Sequence, residues 1–151
     1  MFFFSGNKTV VVPSSLTYSP KSIEVLEIED NSYNDSSVTE FKLSGLNRLK
    51  RIVIGDKCFG SVGLVELDGL YELESVVIGD WSFRISGGER KDGVCRIVNC
   101  PKLNSIHIGS QSFNNYPSSF ELSNLPSLQS IDIGESCFFA VPSFSLIGLI
   151  D

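Results

Sequence analysis

A β-solenoid, in which short coils of parallel strands stack on one another, is the fold class that this sequence predicts. Three observations support it: a segment that recurs along the chain, an apolar alternation inside each copy, and small residues at fixed corner positions. The clearest copy runs from Phe120 to Phe138 and contains Leu128-Gln129-Ser130-Ile131-Asp132-Ile133-Gly134. Because internal repeats of roughly 20–50 residues indicate solenoids and related arrays, each copy is expected to form one coil.

One isoleucine in each copy marks the period of the repeat. The spacings are 26, 24, 30 and 25 residues along the series Ile28, Ile54, Ile78, Ile108 and Ile133. The long unit carries its extra residues in the polar, glycine-rich segment 84–93, and insertions in stacked repeats map to loops. The solenoid is therefore predicted over residues 23–151. Residues 1–22 do not fit the repeat and are expected to form an N-terminal cap or a degenerate coil, with a short edge strand at residues 9–12.

Apolar residues alternate twice in every copy, which predicts two short strands per coil. Ile52 and Ile54 lie two residues apart, as do Phe41 and Leu43 earlier in the copy, so each pair points to one face of a strand. No apolar stripe continues at helical spacing for the ~10–12 residues that a helix requires. Coils of about 24 residues with little or no helix are expected to stack in parallel, each covering its neighbour's apolar face.

Four columns of equivalent residues support this stack. The first alternates between glycine and asparagine, which tolerate positive φ best, and comprises Gly45, Gly69, Asn99, Asn124 and Gly148. A second column, also predicted to be a corner, comprises Gly55, Gly79, Gly109 and Gly134. A third is always small and comprises Ser32, Cys58, Ser82, Ser112 and Cys137. The fourth is aromatic, is predicted to form a stacked spine inside the solenoid, and comprises Tyr33, Phe59, Phe83, Phe113 and Phe138.

The segment from Leu128 to Phe138 resembles the leucine-rich repeat L-x-x-L-x-L-x-x-N-x-L, and so do residues 49–59, 73–83 and 103–113. The asparagine position holds Lys57, Trp81, Gln111 and Ser136 instead, so the second glycine column is expected to do the turning. The isoleucine and phenylalanine content is similar to divergent repeats of microbial and protist surface-type proteins. The resemblance covers about residues 23–149. It implies a right-handed leucine-rich-repeat solenoid, α/β by convention but mostly β here, whose concave sheet binds other proteins.

If the resemblance holds, the residues between the paired isoleucines lie on the concave face and form the partner-binding site. With Val25, these are Glu27, Arg51, Val53, Ser75, Val77, Ser105, His107, Ser130 and Asp132. Extended faces of this kind are the binding surfaces of solenoids. The alternative is that they are solvated strand residues with no role in binding, since single surface residues need no explanation. The neighbouring valines at 53 and 77 favour contact with a partner.

Enzyme activity is not predicted. Ser105, His107 and Asp132 could be arranged as a triad, but an open sheet offers no enclosed pocket and no oxyanion hole. The glycines do not form a G-x-G-x-x-G cluster for phosphate. No C-x-x-C spacing occurs and the single histidine lies in an outward column, so neither a metal nor another cofactor is expected.

Charge and cysteine content limit the classes of partner and compartment. The net charge of −6 argues against nucleic acid, and no apolar run approaches the ~20 residues of a membrane span, so no membrane insertion is expected. Cys58 and Cys137 lie three coils apart, ~14 Å at the spacing of parallel strands, whereas a disulfide needs Cα atoms closer than ~7 Å. Four reduced thiols favour an intracellular home if Met1 is the natural start; a fragment of a longer chain favours the cell surface.

Two functions from different classes follow as expectations. The first is a non-enzymatic protein–protein interaction module that binds through the concave sheet. The second is a structural subunit or spacer that packs edge-on within a larger assembly. Residues 144–151 begin another copy without its isoleucine strand, so we expect either that the chain is a fragment of a longer array or that this uncapped end docks on a partner or on a second copy of the chain. An outward column of alternating sign is predicted to pair across its own sheet and comprises Lys42, Glu66, Arg96 and Glu121.

Overall fold

The computed structural model describes residues 23–85, 93–114, 119–138 and 144–147. These residues form ten short strands in two parallel sheets and no helix, so none of them belongs to a helix that could cross a membrane. Successive strands alternate between the two sheets, and equivalent strands follow one another at intervals of about 25 residues. The predicted stack of parallel coils, with two strands in each and no helix, is confirmed.

The strands are numbered along the chain, and each sheet takes alternate strands. In spatial order the first sheet contains β1 (Val25–Ile28), β3 (Arg51–Ile54), β5 (Ser75–Ile78), β7 (Ser105–Ile108) and β9 (Ser130–Ile133). The second sheet contains β2 (Glu40–Ser44), β4 (Leu64–Asp68), β6 (Val94–Val98), β8 (Ser119–Ser123) and β10 (Phe144–Ile147). The predicted edge strand at 9–12, most of the inserted segment and the last residues of the chain lie outside the described residues.

The register of the strands matches the columns deduced from the sequence. Ile28, Ile54, Ile78, Ile108 and Ile133 pair from strand to strand in one unbroken row. The first four are at most 2% exposed and belong to a single core between the sheets. Full burial of an isoleucine side chain contributes roughly 1.5–3 kcal/mol, so the repeated row is a main source of stability.

In the last coil the isoleucine rows are not buried, as expected for an uncapped end. Ile131 and Ile133 lie in the predicted rows, yet they are 37% and 36% exposed. The reason is their place in the stack: β9 is the edge strand of the first sheet, and among the described residues no later coil covers it.

The aromatic column forms the predicted spine. Phe83 stacks between Phe59 and Phe113 with centroid separations of 4.8 Å and interplanar angles of 9° and 8°. Tyr33 and Phe138 extend the stack at its two ends, at 5.2 and 4.9 Å. The parallel rings follow from the repeat itself, because equivalent residues of neighbouring coils point in the same direction at the ~4.8 Å spacing of strands.

The four described members of the first corner column behave as predicted, and Gly148 lies outside the described residues. Gly45 and Gly69 have φ of 68° and 64°, and Asn99 and Asn124 have φ of 55° and 54°. The side-chain amide of Asn124 donates to Asn99 Oδ1 at 2.8 Å, and that of Asn99 donates to Asp68 Oδ1 at the same distance. Asparagine therefore serves this corner twice, through its tolerance of positive φ and through a ladder between coils.

The second corner column was assigned the wrong role. No positive φ occurs at Gly55, Gly79, Gly109 or Gly134; the turn is made by the residues two and four positions later. The left-handed residues are Asn31, Lys57, Trp81, Gln111 and Ser136, followed by the five aromatic residues of the spine. The glycines are needed instead for close approach between coils. A Cβ on Gly109 would lie 2.6 Å from the backbone nitrogen of Asp80, which real structures do not tolerate.

Two further ladders join the coils at this corner. Ser82 Oγ donates to the Gly55 carbonyl at 2.8 Å and accepts the Cys58 N–H at 3.0 Å, so this buried hydroxyl is satisfied. Ser112 Oγ and Cys137 Sγ make the same contact to the carbonyls of Gly79 and Gly109. Aspartates form the second ladder, in which one carboxylate oxygen accepts the N–H of the next coil at 2.7–2.8 Å: Asp30 to Asp56, Asp56 to Asp80, and Asp80 to Ser110.

The charged column of the second sheet is confirmed in part. Arg96 binds Glu66 at 3.0 Å and Glu121 at 2.9 Å across adjacent coils. The hydrogen bond from Arg96 holds the pKa of the Glu121 carboxyl below its ordinary value. Lys42 was expected to pair with Glu66, but its ion pair among the described residues is with Glu40 of its own strand, at 3.1 Å. The long lysine side chain reaches a carboxylate two positions away as easily as one across the sheet.

Candidate functional site

The outer face of the first sheet carries every residue of the predicted binding site. Along β1, β3, β5 and β7 the buried aliphatic residues alternate with residues that point away from the core, as the period of two requires. The outward residues form two rows in register. The first row is Val25, Arg51, Ser75, Ser105 and Ser130, and the second is Glu27, Val53, Val77, His107 and Asp132.

The centre of this face is apolar. Val53 and Val77 are direct partners on adjacent strands, and both are half-buried on a surface open to solvent. Glu27 lies on one side of this pair and His107 on the other, both exposed. An apolar centre with polar groups around it is the usual composition of a protein-binding surface.

His107 and Asp132 form the one close pair within the two rows that the described residues show. His107 Nδ1 lies 2.8 Å from Asp132 Oδ2, and both side chains are exposed. Ser105, the third member of the triad considered from the sequence, makes no hydrogen bond to His107 among the described residues. The structure thus brings two of the three residues together. The pair fixes the orientation of the imidazole on the open face.

The leading margin of the face comprises the residues just before the strands of the first sheet. Its charges neutralise one another. Glu24 binds Arg48 at 2.9 Å and Lys50 at 3.3 Å, which joins the first two coils. Glu72 binds Lys102 at 2.7 Å, two coils further along. Exposed pairs of this kind contribute roughly 0–1 kcal/mol each, and they leave this margin nearly neutral.

The trailing margin, where the strands of the first sheet end, is acidic. It carries Asp30, Asp56 and Asp80 in one exposed column. Each uses one carboxylate oxygen to accept an N–H from the next coil, while the other oxygen has no hydrogen bond or ion pair among the described residues. Charges about 4.8 Å apart repel one another, so a basic group of a partner would be stabilised here.

An exposed tryptophan at the same margin was not predicted as a site residue. Trp81 follows Asp80, is 43% exposed, and has the Arg84 guanidinium 4.7 Å from its ring centroid. The sequence contained an indication that Trp81 is exposed, because the equivalent positions in the other coils are polar. These are Asn31, Lys57, Gln111 and Ser136. A large aromatic in an otherwise polar column has no core to fill and is available for contact.

The four cysteines are free thiols, which agrees with the spacing argument for Cys58 and Cys137. Burial raises the pKa of Cys95 far above its ordinary value, and it raises the pKa of Cys100 to about 11. Both belong to the core, where they replace larger hydrophobic residues of their columns. Since the thiolate is the nucleophile and the metal ligand, these groups are unsuited to either task. The described residues contain no cluster of three or more His, Cys, Asp or Glu side chains that could hold a metal ion.

Comparison of the chain with protein-family models, with curated proteins and with solved structures gives no match.

Proposed function

We propose that the chain is a non-enzymatic protein-recognition module that binds a protein partner on the outer face of the first sheet. One observation carries this proposal: five parallel strands present two continuous rows of side chains, in register, on a face that the core does not use. Solenoids bind partners over extended surfaces of this kind, because stacking neighbouring coils creates a surface that no single coil has.

The proposed contact with the partner is centred on three residues, one in the second coil and two in the third. Val53 and Val77 supply adjacent apolar surface, and Trp81 supplies an exposed aromatic ring at the trailing margin. Tryptophan is among the residues most enriched in the energetic centres of interfaces. The bound partner is expected to bury the two valines and to pack an apolar side chain against the indole.

The partner is expected to be basic where it meets the trailing margin. Asp30, Asp56 and Asp80 form an exposed acidic column there, and the whole chain carries a net charge of −6. Complementary charge raises the rate of association and suppresses incorrect partners. Binding should therefore weaken as salt increases, since exposed charges are screened over ~8–10 Å at ordinary ionic strength.

Catalysis has less support than binding. The His107–Asp132 pair lies on an open face, whereas acyl-transfer sites work by aiming donors at a developing charge in a water-excluded pocket. The buried thiols have raised pKa values and no described access to solvent. Neither feature provides an assembled site, and function has to be argued from such a site rather than from the fold.

The test is a differential capture experiment with two matched double variants. Val53→Asp/Val77→Asp places charge at the centre of the proposed face. Leu64→Asp/Val94→Asp makes the same change at two half-buried outward residues that are partners on adjacent strands of the second sheet. Proteins captured from cells that express the chain are compared by quantitative mass spectrometry among wild type and the two variants.

We expect a partner that wild type and the second-sheet variant capture equally and that the Val53/Val77 variant loses by about tenfold or more, because burying an unpaired charge at an interface is costly. A photo-crosslinking residue at Ser75, an outward residue two positions before Val77 on β5, should then label the same protein. Equal capture by both double variants, with circular dichroism showing that both are folded, would place binding elsewhere and refute the proposal.

The alternative function is edge-on packing within an assembly. It uses the end of the stack rather than the face of the first sheet, so the two functions are compatible and separable by mutation.

We further propose that the coil is a divergent leucine-rich repeat. Support comes from the buried positions of the motif, which hold Leu49, Ile52 and Ile54 in one coil and Leu73, Val76 and Ile78 in the next. The motif's asparagine position corresponds to a left-handed residue in every coil from Asn31 to Ser136. Asparagine is one of the few residues that adopt this conformation readily.

Lys57→Asn tests this assignment of the asparagine position. Lys57 has φ of 55°, and a left-handed conformation costs an ordinary residue roughly 1–2 kcal/mol. The substitution should raise the free energy of unfolding by about 0.5–1 kcal/mol and Tm by roughly 2–4 °C, measured by thermal and urea unfolding. Arg51→Asn on β3 is the control and should be neutral or destabilising, because asparagine is disfavoured in strands. A loss of stability in Lys57→Asn would contradict the assignment.

A further inference from the structure

The single histidine of the chain, His107, lies on the candidate binding face. It belongs to β7, an inner strand that pairs with β5 on one side and with β9 on the other. Its side chain is half exposed because it points outward from the sheet, not because it lies at an end of the stack. Its direct partner on β5 is Val77. His107 therefore borders the apolar centre of the proposed contact.

Asp132 determines which ring nitrogen of His107 carries the proton. Nδ1 lies 2.8 Å from Asp132 Oδ2, and an ionised carboxylate only accepts hydrogen bonds. Nδ1 is therefore the nitrogen that donates, and in the neutral ring Nε2 keeps its lone pair. Nε2 makes no hydrogen bond to any described residue. The face thus presents a hydrogen-bond acceptor of fixed orientation next to Val77.

The neighbouring strands contribute one titratable group to the surroundings of His107. Outward from β5 point Ser75 and Val77, and outward from β9 point Ser130 and Asp132, of which only the aspartate carries a charge. The corners of the same three coils carry charged residues that form no ion pair with His107 within the described part of the chain: Glu72, Glu74, Lys102, Asp80 and Glu135. A proton on His107 therefore changes the charge of the face directly beside Val77.

We propose that His107 is a specificity-determining residue of the binding face, which accepts a hydrogen bond at Nε2 from an N–H or O–H group of the protein partner and releases the partner on acidification. This inference rests on the proposed function of the face. Protonation converts Nε2 from an acceptor into a donor, so the partner's donor loses its hydrogen bond. The added positive charge also repels the basic partner that the trailing margin favours. Both effects weaken binding as pH falls, and the affinity is highest where the imidazole is neutral.

The first measurement needs no partner and detects the tautomer of His107. Nitrogen-15 NMR of the full chain distinguishes a protonated ring nitrogen from an unprotonated one at about pH 8, where histidine is ordinarily neutral. Because the chain has one histidine, both ring signals belong to His107. We expect Nδ1 to be protonated and Nε2 unprotonated in wild type, and Asp132→Leu, which removes the acceptor, to lose this preference. A proton on Nε2 in wild type, or an unchanged tautomer in Asp132→Leu, overturns the inference.

The second measurement uses the protein that wild type captures and Val53→Asp/Val77→Asp loses. The complex is washed at about pH 7.5 and at about pH 5.5, which span the ordinary titration range of histidine, and the retained partner is quantified by mass spectrometry. Wild type is expected to retain about tenfold less partner at the lower pH. His107→Gln is the matched variant, because glutamine keeps a donor and an acceptor but does not titrate. It should change by less than about twofold between the two washes.

The outcomes separate this inference from the proposed function. Equal loss of the partner from wild type and His107→Gln on acidification, or loss from neither, refutes the role of His107 and leaves the proposed function standing. Circular dichroism at both pH values tests for unfolding, and a chain that unfolds at about pH 5.5 also contradicts the inference. If wild type captures no partner through Val53 and Val77 at about pH 7.5, the proposed function fails and this inference fails with it.

Discussion

Phe83→Ala is expected to lower the free energy of unfolding by about 3–5 kcal/mol, the range for removal of a buried aromatic side chain. Phe83 is fully buried and stacks on Phe59 and Phe113 at 4.8 Å on both sides. It also contacts Phe41 of the second sheet at 5.9 Å between centroids. Its removal leaves a cavity at the centre of the spine, and the regular spacing of the strands prevents the neighbouring rings from closing it.

The measurement is urea unfolding followed by circular dichroism. Since native domains are stable by only about 5–15 kcal/mol, the variant is expected to be partly unfolded at 37 °C. Tyr71→Ala is the control, because Tyr71 is exposed and its removal should change stability by no more than about 0.5 kcal/mol. A loss below about 1 kcal/mol in Phe83→Ala would show that the spine collapses easily and contributes little.

Gly109→Ala is expected to destabilise the protein by about 3 kcal/mol, the upper part of the range for overpacking. On backbone grounds alone the change should stabilise by about 0.4–1 kcal/mol, because φ at this position is not positive and alanine restricts the unfolded chain. The steric contact of the added Cβ decides whether the substitution stabilises or destabilises the protein. The added Cβ would meet the backbone of Gly79 and Asp80 in the preceding coil, 2.6 Å from the Asp80 nitrogen, and would separate two coils joined by hydrogen bonds.

Gly45 gives the opposite pattern and serves as the matched control. Its φ is +68°, and a Cβ there would meet nothing within 4 Å. Gly45→Ala should cost about 1 kcal/mol from backbone strain, while Gly45→Asn should be close to neutral, because Asn99 and Asn124 occupy the same column with positive φ. At Gly109, substitution by asparagine should lower the free energy of unfolding at least as much as substitution by alanine. Equal tolerance of asparagine at the two positions would contradict the distinction between a turning glycine and a packing glycine.

Part of the candidate site was predictable because strands have a period of two. Once Ile52 and Ile54 are assigned inward, Arg51 and Val53 must point outward, and the same holds in every coil. Trp81 was missed because its exposure depends on the path of the corner after β5, which the alternation does not describe. Lys42 was given the wrong partner because a flexible side chain can reach several carboxylates, and the choice depends on rotamers that the sequence does not encode.

The sequence by itself determined the repeat, the two strands of each coil, their parallel register and the aromatic spine. These follow from periodic burial, since a one-residue slip would move every apolar side chain to the wrong face. Only the tertiary structure decided why Gly55, Gly79 and Gly109 are glycine: a Cβ at each would meet the backbone of the preceding coil. That answer depends on distances between coils, and these are properties of the assembled stack rather than of any single copy.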